Sequence, residues 1–228
     1  MKHWAKMVCA IVALGFLTGC SEQEYSLVQY VEKVQPTQLA AVEFPCAMAG
    51  ELLMAEEVEC YTGPYWEDGS GETVENIAAL MVYNPTNKML EFGAFSLEQD
   101  GKKLYFFAYR VPPESRCLIL EYEKKPWSAN AITDCRMLEA RWTSQEFSRE
   151  QIDYLGLDHT LTVINRDGRQ LSQVTVWYKR YDKERQCYIG GIAYSSRFVF
   201  LQPEEHRTIL PTYYRAGECR IVSITLEI

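Results

Sequence analysis

The feature that most constrains the fold of this chain is an internal repeat. Placing Asn84 on Asn165 lays Leu80-Met81-Val82-Tyr83-Asn84 over Leu161-Thr162-Val163-Ile164-Asn165. Leu90, Phe95 and Leu97 then fall on Leu171, Val176 and Tyr178. The intervening turn carries Asn87 in one copy and Gly168 in the other, residue types that tolerate positive φ. Further on, Pro113-Glu114-Ser115-Arg116-Cys117 overlies Pro203-Glu204-Glu205-His206-Arg207, and Cys135-Arg136 overlies Cys219-Arg220. The register shifts between these blocks, as loop insertions require. Three blocks recurring in one order point to a duplicated unit.

Within each copy the pattern is that of short strands. Residues 52–61, 77–83, 90–97, 103–109, 117–122 and 135–142 read as strands in the first copy. Residues 160–164, 171–179, 188–200, 207–210 and 221–228 read as strands in the second. Asn-Pro, Asp-Gly, Pro-Pro and Lys-Lys-Pro breaks separate the strands of the first copy. Residues 144–152 are charged and polar and form the expected boundary, with a cap-like Ser148 that suggests one helical turn. About six or seven short strands per unit, with turns every 8–12 residues and no long periodic helix, predict a Greek-key sandwich. The expected fold class is therefore all-β, with two tandem domains at 45–145 and 146–228. In the second, Val163, Asn165, Gly168, Val174, Val176 and Tyr178, followed by Gln202-Pro203-Glu204-Glu205, resemble immunoglobulin-like modules of the FxLYD kind. The resemblance implies an immunoglobulin-like sandwich.

The amino end predicts location. Lys2 and Lys6 precede an apolar run of 11 residues, Met7–Leu17, too short to span a bilayer as a helix. Leu17-Thr18-Gly19-Cys20 closes it with small residues ahead of a thiol. The pattern resembles the lipobox of bacterial lipoproteins. It implies a signal peptide over 1–19, cleavage before Cys20 and acylation of the Cys20 thiol. Two acyl chains hold a protein stably on a membrane. The expected location is therefore outside the cytoplasm, lipid-anchored to the cell membrane. Residues 20–44 read as a lipidated tether, in which Tyr25, Leu27, Val28, Tyr30, Val31 and Val34 suit one face of a short helix. The strings Tyr61-Thr62-Gly63-Pro64-Tyr65 and Tyr188-Ile189-Gly190-Gly191-Ile192-Ala193-Tyr194 resemble those of lipoproteins from anaerobic Firmicutes. Those relatives carry no assigned activity, so the resemblance implies none.

Charge and cysteines narrow the partners. Lys2 and Lys6 leave with residues 1–19, so the net charge moves from −8 to −10. Such a surface repels phosphates and argues against nucleic acid. Outside the cytoplasm, Cys46, Cys60, Cys117, Cys135, Cys187 and Cys219 are free to form disulfides or to serve as small buried apolar groups. Cys135 and Cys219 are expected to be buried beside their cores. By strand order, Cys117 is the expected neighbour of Cys135, and Cys187 that of Cys219. No Cys-x-x-Cys occurs, and His159 and His206 are the only histidines after Cys20, so no metal or cofactor is expected.

No sequence motif supplies a reaction. Gly69-Ser70-Gly71 falls short of a serine-hydrolase elbow, and no phosphate loop or dinucleotide fingerprint occurs. His206 lies at an expected surface turn, and His159 opens a strand near the domain boundary. Glu67, Asp68, Glu72 and Glu75 form an acidic, glycine-rich loop without the calcium-ligand order of an EF-hand, and a solvated loop is expected. Gly190-Gly191 inside a strand reads as a bulge or a close backbone approach first, and as a binding notch second. The candidate binding residues are aromatic: Tyr61, Tyr65 and Trp66 beside the acidic loop, and Tyr213 and Tyr214 at a loop end. Trp127, after Pro126, is a further aromatic of this kind. Such rings either stack on a ligand or plug the ends of the cores. The expected function is a non-catalytic binding or assembly module of the cell envelope, its partner an envelope protein or glycan. The alternatives are a β-rich enzyme acting on wall polymer, for which a nucleophile–base motif is missing, and a solute-binding transporter subunit, for which alternating helices are missing.

Overall fold

Apolar alternation and turn chemistry give thirteen strands and no helix among the described residues. The structure, a computed structural model, describes residues 40–50, 52–144 and 150–228. The cleavage site, the tether helix and the capped turn at Ser148 lie outside them. In chain order the first seven strands are β1 (Cys46–Met48), β2 (Leu53–Pro64), β3 (Thr73–Asn84), β4 (Met89–Gln99), β5 (Lys102–Val111), β6 (Ser115–Leu120) and β7 (Ile132–Thr143). The rest are β8 (Ile152–Leu157), β9 (Thr160–Asn165), β10 (Leu171–Asp182), β11 (Cys187–Leu201), β12 (His206–Ile209) and β13 (Cys219–Glu227). Two of these, β1 and β8, fall where no strand was expected.

The pairing order recurs. In the first copy β2-β3-β6 and β5-β4-β7 are neighbours; in the second, β8-β9-β12 and β11-β10-β13. The first core fills the space between its two sheets, with Leu53 of β2, Leu80 and Val82 of β3, Phe95 and Leu97 of β4 and Phe106 of β5. The second core does the same with Leu161 and Val163 of β9, Val174 and Val176 of β10 and Phe198 of β11. Leu80, Leu161, Phe95 and Val176 are thus core residues in matching places.

The repeat extends to individual hydrogen bonds. The Asn84 side-chain amide donates to the carbonyls of Lys88 (2.8 Å), Val111 (3.2 Å) and Pro112 (2.9 Å), and its oxygen accepts from Thr86 N (3.1 Å). The Asn165 amide donates to Arg169 (2.9 Å), Leu201 (3.1 Å) and Gln202 (3.1 Å), and its oxygen accepts from Asp167 N (2.9 Å). Both asparagines are fully buried. Each ties the start of a strand hairpin, β4–β5 or β10–β11, to the end of that hairpin. Backbone geometry repeats as well, with positive φ at Arg110 and Glu114 in one copy and at Phe200 and Glu204 in the other.

The copies share a sheet. β6 pairs in parallel with β11, so β2-β3-β6 and β11-β10-β13 run together as one seven-stranded sheet with β1 at its edge. The shared pairing is short, Tyr188 opposite Cys117 and Ile189 opposite Leu118. Beyond it the two strands part. A third apolar cluster, including Tyr61, Tyr65, Ala79, Met81 and Leu118, covers the other face of β3 and β6. Burial on both faces explains the unbroken apolar run of β3, a pattern that a one-sided strand does not carry.

The cysteines do not follow strand order. Cys219 is buried in the second core as expected, whereas Cys135 packs against the first core but is only half-buried, which corrects the expectation of burial there. Cys117 is buried in the first core, while Cys187 belongs to the cluster on the other face of the shared sheet. Cys117 is therefore not the neighbour of Cys135. That place is taken by β1, whose Met48 sulfur lies 3.8 Å from the Cys135 sulfur and whose Cys46 lies on the same face of the strand as Met48.

Candidate functional site

The site lies where β6 and β11 diverge. Splitting a sheet leaves backbone N–H and C=O groups without ladder partners, and buried backbone groups must find others. The N–H side is taken by Glu67, from the loop after β2. Its carboxylate accepts from Leu120 N of β6 (2.8 Å), from Gly191 N of β11 (2.7 and 2.8 Å to its two oxygens) and from Ile192 N (3.1 Å). The C=O side is taken by Lys179 of β10. Its ammonium lies 3.0 Å from Gly190 O, 2.8 Å from Gly191 O and 2.9 Å from Ile192 O, and 3.0 Å from Tyr109 O of β5. Lys179 is wholly buried.

The two charges face each other through the Gly190-Gly191 backbone. Burial pushes the Glu67 carboxyl above its usual range, while the N–H groups of Gly191 and Leu120 and the Lys179 charge pull it back. Burial pushes the Lys179 ammonium downward, opposed by Cys117 and Glu67. The solvated acidic loop expected from sequence thus needs correcting at Glu67. Asp68 and Glu72 remain at the surface, Asp68 paired with Lys124 at 3.2 Å.

Gly190-Gly191 is a close approach, and the chain itself fills it. A Cβ on Gly191 would stand 1.7 Å from Phe107 O of β5, so any larger residue would drive β5 away. Gly190 has φ +79°, and a Cβ there would stand 2.9 Å from Trp66 Cβ. Trp66-Glu67 of the first copy therefore docks on Gly190-Gly191 of the second, the indole on one side and the carboxylate at the N–H groups. Arg180 of β10 stacks over the Trp66 ring at 4.0 Å.

Beside this junction the split opens into a cavity of about 470 Å³. Glu67, Leu120 and Ile192 line it together with Ala193 and four aromatic rings: Phe107 and Tyr109 of β5, Tyr122 after β6, and Trp177 of β10. Phe107 and Tyr122 meet edge to face at 5.1 Å. Tyr109 and Tyr122 are 45% and 59% exposed, so two rings stand open at the rim. Arg110 stacks over Trp177 at 4.1 Å. The volume lies in the range of small-molecule sites, which are mostly apolar with a few placed polar groups. The titratable side chains lining it are Glu67, Tyr109 and Tyr122. Both Glu67 oxygens are already engaged by backbone N–H groups.

Of the five aromatic residues expected to bind, three are buried. The Tyr61 hydroxyl donates to Pro64 O (2.9 Å) and that of Tyr65 to the carbonyls of Glu121 (3.1 Å) and Tyr122 (2.9 Å). Tyr214 lies in the second core, edge-on to Tyr178 at 5.2 Å. These three plug core ends and present no ring face to solvent. Trp66 and Tyr213 keep partial exposure: Trp66 lies under Arg180, and Tyr213 stacks on Tyr194 at 4.7 Å. Trp127 packs against the first core. His159 is exposed in the β8–β9 turn, and His206 is exposed at the start of β12. Among the described residues no cluster of three or more His, Cys, Asp or Glu is placed to hold a metal.

Phe107, Tyr109, Tyr122 and Trp177 were not among the sequence candidates. The signal for two of them was present. Along β5, Leu104, Phe106 and Ala108 face the core, and the alternate positions are Tyr105, Phe107 and Tyr109. Aromatic residues on the supposedly wet face of a strand mark a second contact. Comparison with protein-family models, with curated proteins and with solved structures returned no match.

Proposed function

We propose that this chain is a lipid-anchored envelope protein, built from two immunoglobulin-like sandwich domains and held outside the cytoplasm by acylated Cys20, and that it acts as a non-catalytic binding module. The observation that carries the binding role is the aromatic cavity at the junction of the copies. It has ring faces, an exposed rim and volume for one ring-bearing ligand. Glu67 is the one acidic or basic side chain lining it, and both of its oxygens are already held by backbone N–H groups, so the cavity favours an uncharged group. A sugar ring fits, since its apolar face stacks on aromatic side chains. An envelope glycan is therefore the ligand class we favour. The full engagement of Glu67 by backbone donors supports a positioning role for it over acid–base catalysis, which requires a carboxylate within reach of the substrate.

The test is a titration of the membrane-extracted chain, whose intact mass is expected to begin at Cys20 and to include acyl groups. Soluble cell-wall glycan fragments are expected to change tryptophan fluorescence saturably and to raise the melting temperature. Ala193→Trp, which fills the cavity, is expected to abolish both effects. Binding that survives Ala193→Trp would place the ligand elsewhere. Release of new reducing ends by the wild-type chain would replace the binding reading with the enzymatic one.

A further inference from the structure

We propose that Cys46 and Cys135 form a disulfide that closes the open edge of the first sandwich. The two residues are far apart in sequence and lie on strands of different sheets, Cys46 on β1 at the edge of the seven-stranded sheet and Cys135 on β7 at the edge of β5-β4-β7. Three observations bring them together. Val42, just ahead of β1, donates its N–H to Ile132 O at the start of β7 (2.7 Å). Met48, two residues past Cys46 and therefore on the same face of β1, brings its sulfur within 3.8 Å of the Cys135 sulfur. Cys46 and Cys135 both pack against the first core. The stretch from residue 42 to 48 thus runs along the beginning of β7, with Cys46 between the two fixed contacts. Burial pushes the Cys135 thiol up to about 12, and the nearby Cys46 thiol adds to the rise.

The other four thiols lack such a partner position. Cys117 and Cys187 point to opposite faces of the shared sheet, Cys219 sits in the second core, and exposed Cys60 lies beside Asn76 at 3.0 Å. Both members of the proposed pair are free thiols in this structure. Oxidation needs an acceptor, and the chemistry requires a disulfide-bearing one, a thiol oxidoreductase or a low-molecular-weight disulfide. One thiol loses its proton and attacks the acceptor's disulfide, releasing one acceptor thiolate. The second thiol loses its proton and attacks the mixed disulfide, forming the Sγ–Sγ bond and releasing the other acceptor thiolate. The acceptor gains the two electrons that the cysteines lose, and its two thiolates take up the two protons. The bond would fasten the segment leading from the amino end to the far edge of the sandwich. Force or thermal motion from that end would then reach the core through a covalent link rather than through the three-residue strand β1 alone.

The test uses the whole chain extracted from membranes without reductant, or incubated with oxidised glutathione. It is denatured, alkylated and digested without reduction. A peptide pair linking Cys46 to Cys135 is expected, with Cys60, Cys117, Cys187 and Cys219 alkylated. Reduction is expected to lower the melting temperature of the wild-type chain and to leave the double variant Cys46→Ser/Cys135→Ser unmoved. Alkylation of both Cys46 and Cys135 after glutathione treatment would overturn the proposal, and so would a bridge from either residue to another cysteine. A melting temperature equally sensitive to reductant in the double variant would overturn the claim that this bridge closes the edge.

Discussion

Asn84 and Asn165 show at single-residue scale why the repeat is real. A duplicated strand pattern can persist for packing reasons alone, but two buried amides with the same set of carbonyl and N–H partners record the same turn architecture. Each supplies donors for carbonyls that would otherwise be buried without partners, a situation costing about 1–3 kcal/mol per group. Asn84→Ala and Asn165→Ala are each expected to destabilise the chain by about 2–3 kcal/mol in urea denaturation. A loss under about 0.5 kcal/mol in either variant, the range of an ordinary surface substitution, would contradict the assigned partners. These residues were legible from sequence, because the alignment itself was anchored on them. Glu67 was not. It is one acid in an acidic loop, and its burial depends on N–H groups of Gly191 and Ile192 that reach it from the other copy.

At the scale of elements, strands with strong apolar alternation and clear turns were legible, and those defined by neighbours were not. The β4–β5 hairpin announced itself through Asp100-Gly101, both at positive φ as a primed turn demands. β1 has three residues and exists because β2 offers it an edge, Cys46 facing Ala55 and Met48 facing Leu53. β8 has five of its six residues exposed or half-buried, Ile152 alone being buried, and pairs with β9 from Ile152 to Leu157. The matching of Cys135 to Cys219 also needs adjusting: Leu97 faces Cys135, whereas its counterpart Tyr178 faces Ile221. Irregularities of register in both ladders account for such drift. The Gly190-Gly191 notch was legible as a close approach, but its occupants, Trp66 and Phe107 O, were not. Gly191→Ala forces a methyl against the β5 backbone, and it is expected to cost more than about 3 kcal/mol, the scale of an overpacked core. In a chain of this size that lowers the melting temperature by about 6–12 °C. A shift of about 1 °C or less would show that β5 and β11 do not pack as described.

For the whole molecule, the repeat explains the architecture, and the shared sheet explains the site. Two sandwiches joined only by a linker would leave both edges of each sheet free and would create no cavity between them. Here β6 and β11 pair for two residues and then part, and Glu67 and Lys179 satisfy the backbone where they part. Glu67 of the first copy accepts from N–H groups of the second, and Lys179 of the second donates to Tyr109 O of the first; leaving such buried groups unpaired costs about 1–3 kcal/mol each, so the copies supply one another with an appreciable part of a typical domain's stability. The shared sheet and its junction make the two copies one cooperative structure. Differential scanning calorimetry of the chain tests this most directly. We expect a single transition whose calorimetric enthalpy equals its van't Hoff enthalpy. Two resolved transitions, each with the enthalpy of about half the chain, would mean that the copies fold separately and that the junction, with its cavity, holds neither of them together.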